Sequence, residues 1–244
     1  MLTPARQRGI EILDDPGADP ALALRSLRDV ALANRFFGGR RAVLAEVRQL
    51  LRMPRERSST RDLQTPVLLL DIGTGLGDIP RAAQRMVAAN SRSLTTIGME
   101  LVPALARAAS ASCTHGLAAD AMSLPFADGS IDIVTCSQVL HHFDGPDADR
   151  LLQECTRVAR TAVIISDLRR SWLAVAGLWA ASFLLGFHSV SRHDGIVSIL
   201  RGFTRDELQA LVEHATGCAV RARRAPGFRV VAVWSPFPRA GARS

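Results

Sequence analysis

Val67–Pro80 reads VLLLDIGTGLGDIP, and the fold follows from it. Four apolar residues, Val67 to Leu70, meet an acid, Asp71, and then glycines at alternate positions, Gly73, Gly75 and Gly77. A short apolar run bounded by turn residues reads as a strand buried on both faces. The glycines let the chain turn sharply and leave bare backbone for a ligand to approach. The helix predicted next points its free N–H groups back into that turn. Strand, glycine turn and helix together predict the ligand crevice of an open, doubly wound α/β sheet.

The dinucleotide fingerprint G-x-G-x-x-G would place its third glycine where Asp78 stands. The chain has G-x-G-x-G instead, with Asp71 two residues before it. An acid that close to the turn disfavours a pyrophosphate and suits a ligand carrying an ammonium group. D-I-G-T-G-x-G resembles motif I of the class I S-adenosylmethionine (SAM) methyltransferases.

Later segments extend this resemblance. Leu94–Met99 reads as the second strand and ends at Glu100, where such folds place a carboxylate against ribose hydroxyls. Gly116–Ala119 is a short third strand ending at Asp120. The string Asp120–Val134, DAMSLPFADGSIDIV, is similar to the family's region after motif II. Ile131–Cys136 is the fourth strand, and Ser137–Phe143 (SQVLHHF) resembles motif IV of small-molecule methyltransferases. Ala162–Asp167 is the fifth strand. Thr204 and Glu207 form a capping box before a helix that closes at Gly217. Cys218–Arg223 and Arg229–Trp234 read as a hairpin around Ala225-Pro226-Gly227.

The resemblance covers roughly residues 67–235 and is nearest to the ubiquinone/menaquinone biosynthesis methyltransferases. It implies a seven-stranded, Rossmann-like α/β sheet with a reversed terminal hairpin. It assigns cofactor contacts to Asp71, Gly73, Thr74, Gly75, Gly77, Glu100, Leu101, Asp120, Ala121 and Ser137. Asp120 would accept from the adenine amino group, the Ala121 N–H would reach the ring, and Leu124-Pro125-Phe126 would pack beneath it. SAM is the implied cofactor and S-adenosylhomocysteine (SAH) its product.

Residues 1–56 are predicted to be a helical cap ahead of the core, with Asp19-Pro20 starting one helix and Gly38-Gly39 ending it. The pair either covers cofactor and substrate or packs on the sheet edge. Arg55–Pro66 reads as a linker and 236–244 as a frayed tail. An insertion follows strand five, at 169–200. Within it Trp172–Phe187 (WLAVAGLWAASFLLGF) runs sixteen residues without a charge. A bilayer span needs about 20 apolar residues, so this run is short for one. A lid helix, a greasy substrate wall and a peripheral membrane contact remain open, the first two being favoured.

The chain has 244 residues, a net charge of +7 and thirty basic residues, all of them arginine. The arginines are scattered and not interleaved with aromatics, which disfavours a nucleic-acid partner. Four separated cysteines form no C-x-x-C pair, which argues against a zinc ribbon or a disulfide framework. The N-terminus has no apolar stretch of the signal-peptide kind, so a reduced cytoplasmic setting is expected. The composition suits a bacterial protein from a GC-rich genome. Oligomeric state stays open.

Methyl transfer from SAM needs donor and acceptor aligned with water excluded, and a base only if the acceptor must lose a proton. His141 and His142 are base candidates, with one of the two expected to face the crevice, and the resemblance implies that His142 lies nearer the cofactor. His193 and Asp194 after the insertion, and Asp167 at the end of strand five, are further candidates. The spacing gives no metal ligand set. The expectation is methyl transfer to an apolar, aromatic hydroxylated or quinone-like molecule, on oxygen rather than carbon. An RNA or protein methyltransferase, or a non-catalytic scaffold, is the alternative.

Overall fold

The computed structural model describes residues 3–15, 17, 19–52, 66–88 and 93–236. The expected linker lies outside them except for Pro66, and the expected tail except for Pro236. Seven strands form one sheet: β1 (Val67–Ile72), β2 (Leu94–Glu100), β3 (His115–Ala118), β4 (Ile131–Ser137), β5 (Ala159–Leu168), β6 (Arg221–Ala225) and β7 (Arg229–Trp234). Their order is β3-β2-β1-β4-β5-β7-β6. All neighbours are parallel except β7, which runs antiparallel to both β5 and β6. This is a doubly wound, Rossmann-like α/β architecture with a reversed terminal hairpin, as expected, and chain order reverses at β1 and β4. Ligands in such sheets sit outside the carboxyl ends of the strands at that reversal.

Alternation along the central strands builds two cores. Leu69, Ile133, Ile164 and Val231 face Val43 and Val47 of α2 (Gly39–Arg52) and Ile79 and Ala83 of α3 (Asp78–Ala88). Leu70, Val134, Ile165 and Ala232 face the other way. They meet Leu151, Leu152 and Cys155 of α5 (Gly145–Val158), and Leu208 and Val212 of α8 (Arg205–Thr216). Further along the sheet, α4 (Pro103–Ala109) packs on β2 and β3. Each fully buried aliphatic side chain contributes about 1.5–3 kcal/mol, so the central strands are the stable frame of the site.

The helical expectation for residues 1–56 holds for α1 (Pro20–Phe36) and α2, but not for the start of the chain. Residues 3–11 run without helix and end in a 3-10 turn, Ile12–Asp14. Asp19 caps α1 by accepting from the Ala21 N–H at 3.0 Å. The corner between α1 and α2 is pinned by the β6–β7 turn. Gly227 (φ +75°) lies so close that a Cβ there would strike the Phe37 carbonyl. The hairpin begins at Arg221, later than sequence suggests, since Cys218 is held by Thr216 at the end of α8.

The insertion forms two helices rather than one. The first, α6 (Trp172–Leu184), is capped by Ser171; the second, α7 (Ser189–Arg201), is capped by the His188 side chain. Gly186, in the left-handed region (φ +67°), makes the break. Thr204 and Glu207 form the capping box of α8, which closes on left-handed Gly217. No helix among the described residues is long and apolar enough to cross a membrane.

Candidate functional site

A cavity of about 320 Å3 opens at the carboxyl ends of β1, β4 and β5. Its floor is the glycine turn and the ends of those strands. α1 covers it with Ser26, Leu27, Val30 and Asn34, and α6 with Ala174, Gly177 and Leu178. Of the N-terminal helices, α1 lines the cavity, while α2 packs on the face of β4, β5 and β7 rather than on the sheet edge.

The glycine turn is rigidly placed. Gly73 has φ +63°, and a Cβ there would lie 2.3 Å from Val139 Cγ2. Asp71 is buried and accepts from the Thr74 hydroxyl at 2.8 Å and the Thr135 hydroxyl at 2.6 Å. It makes no ion pair among the described residues. Burial, reinforced by nearby Asp78 and Glu100, pushes its carboxyl up to about 7 against the Thr135 and Thr74 hydrogen bonds. Asp78 is pushed up by burial to about 6 despite Arg40, and its Oδ2 has no hydrogen-bond partner. Burial also raises Glu100, whose Oε1 accepts the Gly75 N–H at 2.5 Å.

Opposite these acids stands Arg229, at the start of β7. It is 2% exposed, and burial lowers it to about 10. Its Nη2 donates to Asn34 Oδ1 at 3.2 Å, while Nε and Nη1 have no partner. Asn34 Oδ1 also accepts from Gln138 Nε2 at 2.6 Å. Gln138 holds a left-handed backbone (φ +58°), a strained state for a residue other than glycine. Ser137 Oγ is a further buried atom without a partner. Ser137, Gln138, Asn34, Asp78 and Arg229 all line the cavity.

The second polar group surrounds His141. The 3-10 turn Leu140–His142 follows β4 directly. His141 is buried, its Nδ1 lies 2.7 Å from Asp167 Oδ1, and its backbone N–H donates to Asp167 Oδ2 at 3.1 Å. Its Nε2 lacks a hydrogen-bond partner and lies 3.7 Å from Glu11 Oε1. Burial alone would lower His141, but Asp167 and Glu11 raise it to about 9. His141 is thus an imidazolium near neutrality, not the neutral base expected from its ordinary value. Burial works upward on Asp167 as well, yet His141 holds it below the carboxylate range.

A strap of residues 3–15 closes this end. Pro4 carbonyl accepts from Arg170 Nε at 3.0 Å. Asp194 Oδ1 and Oδ2 accept the N–H groups of Ile12 and Leu13 at 2.9 and 3.1 Å. Arg201 Nη1 reaches Glu11 at 3.1 Å and Asp14 at 2.7 Å, and Asp14 in turn holds His142 Nδ1 at 3.0 Å. Glu11, His141 and His142 come close enough to share a cation, the one such group among the described residues. The Arg201 guanidinium already supplies positive charge against Glu11.

Of the residues singled out from sequence, Asp71, Gly73, Thr74, Gly75 and Ser137 line the cavity, as do His141, His142 and Asp194. Both histidines face it, not one, because the tight turn sets their rings 4.3 Å apart at 31°. Asp194 is engaged by the strap. His193 is exposed, one helical step away from Asp194 and outside the cavity. Asp167 does not line the cavity and lies behind His141, which it holds through Nδ1 and the backbone N–H. Gly77 is set against α4, where a Cβ would meet Ser112 and Cys113. Glu100, Leu101, Asp120 and Ala121 do not line the cavity, though Glu100 reaches its rim through the Gly75 N–H, and the Ala119 N–H donates to the Glu100 carbonyl. Leu101 is exposed, and Asp120 accepts the Met122 N–H at 2.9 Å. Leu124 is buried in the core and does not line the cavity. Sequence reading missed Glu11, Asn34, Asp78 and Arg229; only Asp78, next to the last glycine, carried a local signal.

Residues 70–165, β1 to β5 with the glycine turn and His141, match the family model described as a methyltransferase domain. The matched segment, about two fifths of the chain, is similar to such a domain. Uncharacterized methyltransferases from Mycobacterium sp. strains JLS and KMS are each 34% identical over 111 residues, 45% of this chain and 41% of theirs. The match spans well under half the length of those relatives. Among solved structures, a SAM-dependent methyltransferase from Aquifex aeolicus aligns with TM-score 0.52 and 15% identity over 91% of this chain and 94% of its own. The magnesium protoporphyrin IX methyltransferase of Synechocystis PCC 6803, with bound SAH, aligns with TM-score 0.50 and 13% identity over 90% and 88%. These likenesses are of fold.

Proposed function

We propose that the chain is an enzyme that moves a methyl group from SAM to the oxygen of a lipophilic, aromatic or quinone-like hydroxyl compound. The residues fit the donor. SAM carries a sulfonium and an ammonium at one end and a carboxylate beside them. Asp71 and Asp78, buried and held above their ordinary values, favour a cationic ligand. The unpartnered Nε and Nη1 of Arg229 favour a carboxylate, which guanidinium binds in a fork. Glu100, Asp120 and exposed Leu101 lie where the resemblance puts the ribose and adenine.

SAM, when bound, supplies a methyl group already activated by its sulfonium. The protein must hold the acceptor oxygen in line with it and keep water out. The observation that carries the acceptor reading is His141 itself, which lines the cavity with its Nε2 unpartnered and its Nδ1 fixed on Asp167. An imidazolium there donates a hydrogen bond to the acceptor oxygen and favours its oxyanion, the more nucleophilic form. The hydroxyl proton leaves to Glu11, which lines the cavity. The surrounding Leu27, Val30, Ala174 and Leu178 suit an apolar body on that oxygen.

Isothermal titration with SAM and SAH tests the donor half, and labelled methyl transfer to a panel of phenols and hydroxyquinones tests the acceptor half. No heat of binding at millimolar ligand would remove the proposal. Binding without transfer to any panel member would favour a scaffold instead.

A further inference from the structure

α6 has two working sides. Ala174 and Leu178 look inward and line the cavity. Trp172, Leu173, Trp179, Phe183 and Leu184 are exposed, Leu184 by 89%. Their spacing, with Ala176 and Ala180 between them, gathers them on one outward face. That face carries no charge, and its polar atoms are indole N–H groups. Thirteen residues make a helix about 20 Å long, too short to span a bilayer but suited to lying in its surface. Exposed apolar patches of this kind mark interaction surfaces.

The surroundings choose among partners. Arg192 lies over the Phe183 ring at 3.7 Å. Across the cavity, α1 exposes Arg25, Arg28 and Arg35, and it also exposes Val30 and Phe36. The one acid in the exposed stretch between Arg25 and Arg35, Asp29, is tied to the His188 N–H at 3.0 Å. An apolar face with two tryptophans and an arginine rim matches an anionic lipid surface, where aromatic rings settle at headgroup depth and arginines meet phosphates. A second copy would bring two basic rims together, in a chain of net charge +7.

We propose that the outward face of α6 docks on anionic membrane, which sets the cavity mouth between α1 and α6 against the lipid. A lipophilic molecule could then pass from bilayer to cavity without crossing water. The docking itself does not depend on methyl transfer.

The test uses wild-type protein with vesicles of phosphatidylcholine, with and without phosphatidylglycerol. We expect co-sedimentation with the anionic vesicles and little with the neutral ones. Trp172 and Trp179 should shift to bluer emission on binding, while Trp234, buried and bonded to Thr156, stays constant. Trp179→Glu with Leu184→Glu, neither of which lines the cavity, should lower the bound fraction at least tenfold. Circular dichroism checks the fold, and the wild-type fluorescence reads the docking even if the variant misfolds. Equal binding by wild type and a folded variant would overturn the proposal. So would a wild type that ignores anionic vesicles, or one that dimerises through this face without binding them. SAH titration on the same samples separates failures: vesicle binding without SAH binding removes the proposed function and leaves the docking standing.

Discussion

At the scale of single residues, the cavity holds unsatisfied charge on both sides. A buried arginine with two free donors gains little in the free protein and much with a carboxylate to pair. Arg229→Met should weaken SAH binding by roughly 1.5–3 kcal/mol, about ten- to hundredfold, with the thermal midpoint of the free protein unchanged or raised. Asn34 Oδ1 would keep its Gln138 partner. A large fall in stability with full SAH affinity would show that Arg229 is structural. The acids give a pH signature. Asp71 at about 7 and Asp78 at about 6 are partly protonated near neutrality. A cationic ligand favours their ionised forms, so SAM affinity should rise as pH climbs from 5 to 8 and binding should release protons. Titration in buffers of different ionisation heat measures that release; none at pH 6.5 would mean the acids do not meet the ligand. His141 runs the opposite way. Its folded value of about 9 exceeds the ordinary 6.5, so its contribution to stability is complete below pH 6.5 and disappears as pH rises through 9. The stability gap between wild type and His141→Gln should close over that window in denaturant titrations.

At the scale of elements, the glycine turn and the histidine turn are interlocked. Gly73 has no room for a Cβ because Val139, just before Leu140–His142, fills the space. Gly73→Ala should cost about 1–3 kcal/mol in stability from its left-handed backbone and the clash together. Val139→Ala in the same chain should recover the clash but not the backbone strain, so partial rescue in thermal unfolding is expected. Full rescue, or none, would show that only one of the two contributes. The elements themselves were legible to different degrees. The buried runs of β1, β4 and β5 announced parallel central strands, and the capping box announced α8. Gly186 inside an apolar run gave little warning that the insertion breaks in two. The strap was misread as part of the helical cap, since nothing local in MLTPARQRGIEILDD marks it as extended chain. Its order comes from distant partners, Asp194, Arg201 and Arg170. Arg229 was equally hidden, because an arginine beginning an alternating strand reads as a solvated edge.

At the scale of the whole molecule, four separate stretches of chain wall one cavity: the strap, α1, the strand ends, and α6 with α7. The strand ends belong to the core and cannot move. The strap and α1 are held to α7 by polar contacts, Asp194 to Ile12 and Leu13, Arg201 to Asp14, and His188 to Asp29. Such contacts open at a fraction of the global unfolding free energy, so entry of a ligand should part these covers and leave the sheet intact. A bound ligand stabilises the closed form by about 2.7 kcal/mol at one hundred times its dissociation constant. That stabilisation should fall on the covers. In hydrogen exchange, saturating SAH should slow the amides of Ile12, Leu13 and α1, and leave the already slow amides of β4 and β5 unchanged. Asp194→Ala should remove the slowing at Ile12 and Leu13 while SAH still protects the turn at Gly75. If SAH protected β4 and β5 and spared the strap, ligand would enter by global opening, and the strap would be a fixed wall rather than a cover.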